Sequence, residues 1–328
     1  MGAAAPDNRD VNSSAPLAPD WIATQAARSA VFIVAALAFI ATVAFATDPV
    51  ERNLAVDGES RTYRLLVPPG TEGTHAPAFI ILHGGESGAE QQERYSGFDD
   101  FAANHGLVAI YPQGIGKHWN DGRKNGQQST ADDVAFIRAM IGALTTEGVV
   151  DGKRIYAAGI SNGGFMALHL ACTMPESIAG IGVIAASQPA DALCPSPRPM
   201  PVIFFHGTAD KFVPFDGGPV GSGPGNRGAA LSQADTIVFW QKENGCGPAV
   251  RSELPQKDTS NGMRVTVETY SCPPGQGLEN VIIEGGGHTW PGARQSVLAT
   301  MVLGPVNDDI SANEMMWNFF QSQASAHP

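Results

Sequence analysis

The chain predicts an α/β fold, with a mostly parallel central sheet, helices on both faces and no separate lid domain. Three observations carry this. Short apolar runs such as "APAFIILHGG" and "PVIFFHGTAD" break at glycine, the pattern of strands buried on both faces. Between them lie stretches with apolar residues at helical spacing, such as "TADDVAFIRAMIGALTTEG", which has an acidic first turn and a terminal glycine. The two kinds alternate along the chain, which calls for crossover connections and parallel pairing.

Each element follows from its own pattern. "RTYRLLVPPG" alternates as a strand and stops at Pro-Pro-Gly; "APAFIILHGG" ends at His83-Gly84-Gly85; "GLVAIYPQG" repeats the buried run with another glycine stop. After the helix "TADDVAFIRAMIGALTTEG" come "RIYAAGIS" as strand, "NGGFMALHLACTMP" as helix, and "IAGIGVIAAS" and "PVIFFHGTAD" as strands. "SQADTIVFWQKENGC" reads as a helix, "MRVTVETYSC" and "ENVIIEGGG" as strands, and "ISANEMMWNFFQSQ" as a closing helix. The glycine-rich "FDGGPVGSGPGNRGAA" (215–230) has sheet-forming segments on both sides, so it reads as a surface excursion near the site and not as a linker. Residues 47–328 are therefore expected to form a single catalytic domain.

The N-terminus bears on the compartment. Arg28 precedes "SAVFIVAALAFIATVAFA", an uncharged apolar run ending in Ala44-Phe45-Ala46, whose small residues suit signal cleavage near Ala46. The leader before it carries three Asp, and the run approaches the ~18 residues that span a bilayer. The expectation is a leader over 1–46, with 29–46 acting as a signal peptide or as a membrane anchor that places the catalytic domain outside the cytoplasm. The four cysteines, Cys172, Cys194, Cys246 and Cys272, all follow this run. None forms a C-x-x-C, which argues against a metal or redox site. Sequential pairing would close two loops of about 25 residues, each contributing on the order of 3 kcal/mol in the chain-entropy model.

A net charge of −12 without a basic cluster excludes a polyanionic partner such as nucleic acid, and the acidic surface disfavours anionic substrates. An apolar share of 43% supplies a sizeable core. What remains is an enzyme or a binding domain, and the strand ends favour the enzyme.

Ser161 lies in Gly159-Ile160-Ser161-Asn162-Gly163, where the strand "RIYAAGI" meets the helix "NGGFMALHL", the setting of a nucleophile elbow. Alone, such a motif is more often a loop. Asp210 follows the "PVIFFHG" strand and His288 follows the last one, giving the order Ser…Asp…His. A serine hydroxyl needs a base and a group to orient that base, and His288 and Asp210 can take those roles. Asp216 is a rival to Asp210 but lies deeper in the glycine-rich loop. Asn162 heads the helix, so its N–H and the helix dipole can meet an oxyanion; Gly85, with Gly84 as an alternative, can supply the second N–H. His206 reads as a buried hydrogen-bonding histidine, and His83 as a brace for the glycine loop. Trp290, two residues past His288, and Trp119 are either walls for an acyl or aromatic group or core packing.

The segments "LHGG" (82–85), "YPQG" (111–114), "WNDGR" (119–123), "DDVAFIRAMI" (132–141), "GISNGGFMA" (159–167), "HGTAD" (206–210) and "GGGHTWPG" (285–292) together resemble the polyhydroxybutyrate-depolymerase and feruloyl-esterase group of α/β-hydrolases, related to carbohydrate esterases. The resemblance runs from about residue 50 to the end. It implies the α/β-hydrolase fold, a Ser161–His288–Asp210 triad, oxyanion donors near Gly85 and Asn162, and no metal or cofactor. It also implies a bridge between Cys246 and Cys272. The expected activity is an exported serine esterase acting through an acyl-enzyme on hydroxyalkanoate oligomers, feruloyl esters or acetylated polysaccharides. The alternatives are a peptidase on the same fold and a membrane-anchored binding protein without catalysis.

Overall fold

The first two strands, β1 (Val50–Val56) and β2 (Glu59–Leu66), pair antiparallel through a two-residue turn. Asp57 and Gly58 both take positive φ there (51° and 83°), as the turn that matches strand twist requires. The strands that follow are β3 (Ala76–Leu82), β4 (Val108–Pro112), β5 (Val150–Ile160), β6 (Gly180–Ile184) and β7 (Val202–Gly207). A two-residue ribbon, β8 (Gly218–Pro219) with β9 (Ala229–Ala230), lies within the glycine-rich excursion. The last three strands are β10 (Ala249–Glu253), β11 (Arg264–Tyr270) and β12 (Leu278–Glu284). This computed structural model describes residues 48–324 apart from 72, 125–128, 193, 195–197, 222–226 and 258.

The main sheet runs β1-β2-β4-β3-β5-β6-β7-β12-β11-β10. Its six central strands, β4 to β12 in that order, are parallel, and an antiparallel pair extends each edge. From β3 the chain moves outward to β4, then returns to place β5 on the other side of β3. At such a reversal the loops after two adjacent strands diverge, leaving a crevice at their carboxyl ends.

Helices cover both faces. They are α1 (Ala89–Ser96), α2 (Phe98–His105), α3 (Asp133–Thr146), α4 (Asn162–Thr173), α5 (Gln233–Glu243), α6 (Val297–Leu303) and α7 (Ala312–Ala324). Phe79 of β3 packs on Phe98 of α2, Tyr156 of β5 and Phe320 of α7, with ring centroids 4.9, 5.2 and 5.8 Å apart. Ile80 and Leu82 alternate with Phe79 and Ile81 and are also fully buried. Strand period puts them on the opposite face, where α4 packs on β3 and both α3 and α4 pack on β5.

The start of α3 is fixed by a cap and a buried ion pair. Asp132 caps that helix by accepting the Ala135 N–H (2.8 Å), and the buried Asp133 pairs with Arg61 at 2.5 Å. The Arg61 guanidinium also lies 4.1 Å over the Phe136 ring. Two disulfides tie the periphery to the sheet. Cys172–Cys194 joins α4 to the loop after β6, and Cys246–Cys272 joins the end of α5 to the end of β11.

The described residues belong to one compact unit, Ala44–Pro328. Among them no helix is long and apolar enough to cross a membrane. The expected leader over 1–46 lies outside the described residues.

Candidate active site

The turn from β5 into α4 is built by steric exclusion. Ser161 has φ 58° and ψ −122°, a conformation that costs a non-glycine residue on the order of 1–3 kcal/mol. Its neighbours hold it there: the Ser161 N–H donates to Ile184 O (2.9 Å) and the Phe165 N–H to Ser161 O (2.9 Å). A Cβ on Gly159 would lie 2.3 Å from Gly163 O, and one on Gly163 would lie 2.3 Å from Leu82 O. The first turn of α4 therefore rests directly on the end of β3, and the glycine spacing is what permits it. Ser161 projects at the crevice between the β3 and β5 ends.

The loop after β3 faces this turn. Gly85 lies beside the first residue of α4, since a Cβ there would sit 3.7 Å from Asn162 Cβ. Among the described residues, no backbone acceptor takes the Gly85 N–H. The Asn162 N–H belongs to the helix's first turn, where no intrahelical carbonyl is available. His83 fixes the loop from beneath. The Gly114 N–H can only donate, so His83 Nε2 accepts it (3.0 Å) and Nδ1–H donates to Gly84 O (2.8 Å). Burial pushes the His83 pKa down to about 4, so the ring is a neutral brace at physiological pH.

Trp119 and Trp290 were expected as possible walls for the substrate; the structure instead places both in the core, each 0% exposed. Trp119 donates Nε1–H to His83 O (2.9 Å), and its backbone N–H donates to Asn162 Oδ1 (2.8 Å). Asn162 Nδ2 donates in turn to Asp121 Oδ2 (2.6 Å), and Asp121 pairs with Arg123 at 2.7 Å. The "WNDGR" segment thus clamps the glycine loop to the start of α4. Trp290 is anchored away from the cavity by Asn313 Oδ1 (2.9 Å). Both indole N–H groups thus find their partners inside the protein, as buried indoles usually do.

Asp210 and His288 meet at the carboxyl ends of β7 and β12. His288 Nδ1–H donates to Asp210 Oδ2 at 2.7 Å, and Asp210 Oδ1 accepts the Phe212 and Val213 N–H groups (2.8 and 3.0 Å). Asp216, the rival carboxylate, is exposed. The His288 backbone is clamped to a segment that sequence reading missed: His288 N–H donates to Leu303 O (2.6 Å) and Gly287 N–H to Pro305 O (3.1 Å). Two cavities, of about 260 and 490 Å³, share Gly85, Ser161, His288 and Leu303. Asn162 lines the smaller one.

A parallel sheet with a strained serine at its switch point and a His–Asp pair across the crevice defines a hydrolase of the α/β-hydrolase fold. Acetyl xylan esterase from Aspergillus awamori has this fold; its structure covers 73% of the chain, and the chain covers 94% of it, with TM-score 0.50 and 15% identity. The chain belongs to the Esterase PHB depolymerase family, whose pattern matches residues 61–194, and is a carboxylic ester hydrolase. It is 32% identical over 257 residues to "Putative esterase NocK" of Nocardia uniformis subsp. tsuyamanensis, a match spanning 74% of each chain. It is 31% identical over 231 residues to feruloyl esterase B of Piromyces equi, covering 67% of this chain and 41% of that longer protein.

Proposed function

We propose that Ser161 is the nucleophile of an exported esterase, with His288 as general base and Asp210 holding His288 in place. With Nδ1–H committed to Asp210, the lone pair of His288 lies on Nε2. That nitrogen takes the Ser161 proton as Oγ bonds to the ester carbonyl carbon. The carbonyl oxygen becomes an oxyanion, received by the Gly85 and Asn162 N–H groups at the positive end of α4. Collapse breaks the C–O bond to the alcohol, which leaves with the proton from Nε2 and gives an acyl-Ser161. Water, deprotonated by His288, then releases the acid and restores Ser161.

The observation that carries this reading is the 2.7 Å His288–Asp210 bond on cavities shared with the strained Ser161. The test is turnover of chromogenic short-chain esters together with labelling by an organophosphonate. Ser161→Ala is expected to lose both. Unchanged hydrolysis in that variant would overturn the assignment, and a wild-type protein that never labels would favour a non-catalytic binding role.

The two cavities suit the two halves of an ester. Phe212, Val220 and Val302 give the smaller one apolar walls beside the polar Glu86, His118, Arg123 and Arg227, fitting an acyl group that carries an aromatic ring with polar substituents. Gln91, Gln92, Tyr95 and Gln295 line the larger one, fitting a hydroxyl-bearing alcohol. We therefore place feruloyl or acetyl esters of sugars ahead of hydroxybutyrate oligomers. Comparing kcat/KM on the two classes decides the order. Two disulfides favour an oxidising compartment, which fits residues 29–46 acting as an export signal or an anchor. The N-terminal mass of the exported chain distinguishes these.

A further inference from the structure

A second histidine lies behind Asp210, and the ester chemistry above makes no use of it. His206, near the end of β7, is 1% exposed. Its Nε2 lies 2.9 Å from Val213 O and 3.6 Å from Asp210 Oδ2, and its Nδ1 lies 3.0 Å from Gln233 Oε1.

The direction of every bond in this chain is dictated from its far end. Glu268 on β11 presents a carboxylate, which accepts, so Asn280 Nδ2 must donate to it (2.8 Å). Asn280 then offers Oδ1 to the Gln233 amide, and Gln233 Nε2 donates to it (2.9 Å). That leaves Gln233 Oε1 facing His206 Nδ1 as an acceptor. Reversing the two amides would set Asn280 Oδ1 against the Glu268 carboxylate. On the other side of the ring, Val213 O can only accept. Both ring nitrogens of His206 must therefore carry protons.

We infer that His206 is a standing imidazolium that neutralises Asp210 from behind and so holds charged the carboxylate that orients His288. His206 is a positioning residue, acting on His288 only through Asp210. The inference rests on the triad reading. Its electrostatics follow from the surroundings of the ring. Asp210 supplies the one negative charge within ion-pair distance among the described residues. Gln233 of α5 and Asn280 of β12 are neutral. Glu268 stands behind them, 3.9 Å from Arg251 of β10 and 3.5 Å from the Tyr270 hydroxyl. The edge of Phe215 closes the site, with ring centroids 5.5 Å apart. Burial works against a charged ring, but Asp210 outweighs it and the His206 pKa is raised above its ordinary value. A cation on this side of Asp210 keeps the carboxylate charged and available to the His288 Nδ1–H on the other.

The test has two arms. In ¹⁵N-histidine-labelled wild-type enzyme at neutral pH, NMR is expected to show both His206 ring nitrogens protonated; one unprotonated nitrogen would overturn the inference. In His206→Gln, the acid limb of the kcat/KM–pH profile is expected to move up by about one pH unit, a roughly tenfold loss on the acid side. A profile that keeps its shape while falling uniformly would reduce His206 to a packing role and also overturn it. The NMR arm needs no variant that folds and no assumption about catalysis. If Ser161→Ala keeps its activity, the triad reading fails while the protonation of His206 is still decided.

Discussion

Asp210 holds His288 with one carboxylate oxygen while two backbone N–H groups, from Phe212 and Val213, lock the other. The carboxylate cannot rotate without abandoning those bonds, so His288 is fixed in orientation and in tautomer. Burial alone would raise the Asp210 pKa, but His206 and His288 outweigh it and hold the group well below the usual carboxylate range.

Asp210→Asn isolates the tautomer effect. The Phe212 and Val213 N–H groups would keep the amide oxygen, turning the amide nitrogen toward His288 Nδ1. That nitrogen would then have to accept, moving the proton to Nε2, the nitrogen proposed to act as the base. The expected result is a kcat lower by about 10³–10⁴-fold with KM little changed. Steady-state kinetics on a soluble ester check it, and a loss confined to KM would contradict it.

His83 gives a pH dependence of stability with a definite sign. Its folded pKa of about 4 lies below the ordinary histidine value of 6.5. Between those values the unfolded chain binds the proton more readily, so stability rises with pH through that window. It is fully present above about pH 6.5 and declines toward pH 4, by up to about 3 kcal/mol. Urea unfolding at a series of pH values measures this slope, and His83→Gln is expected to flatten it between pH 4 and 6.5.

Trp119 separates a brace from a substrate wall. As a brace, Trp119→Phe leaves His83 O without its donor and loosens the glycine loop, at a cost of roughly 1–3 kcal/mol. The expected kinetic signature is a similar loss of kcat for acetyl, butyryl and feruloyl esters. A change in preference among those acyl groups, read as ratios of kcat/KM, would restore the tryptophan to the substrate surface.

What sequence made legible follows a physical divide. The parallel strands and the Ser161 turn could be read because buried strands are apolar throughout and because Gly159 and Gly163 are demanded by backbone contacts. The tryptophans could not be assigned, because an indole beside glycines looks the same whether it packs a loop or a ligand. Three further elements left no period to read. In β10, "AVRSE" is exposed at every position; in α1, "AEQQERYS" offers only Ala89 and Tyr95 as apolar residues; in α6, "VLATMVL" is apolar nearly throughout. Leu303, at the end of α6, lines both cavities because its segment is clamped to the His288 loop, a contact between segments that no local pattern announces.

Two glycine-to-alanine changes of opposite sign test whether the turn is set by sterics. Gly142 lies exposed in the middle of α3 with nothing within 4 Å of a Cβ, so Gly142→Ala adds helix propensity at no steric cost. It is expected to stabilise the protein by about 0.5–1 kcal/mol. Gly159→Ala puts the same methyl group 2.3 Å from Gly163 O and 2.9 Å from Leu82 Cβ. Backbone atoms cannot yield as a flexible side chain would, so β5, β3 and α4 must separate, at a cost of at least about 1–3 kcal/mol. Because Ser161 rides on that turn, activity should fall further than stability: at a temperature where Gly159→Ala is still folded, kcat is expected to drop while Gly142→Ala keeps its wild-type value. Thermal unfolding and kinetics on the two variants check both halves, and a Gly159→Ala enzyme with wild-type kcat would show that the turn tolerates a side chain.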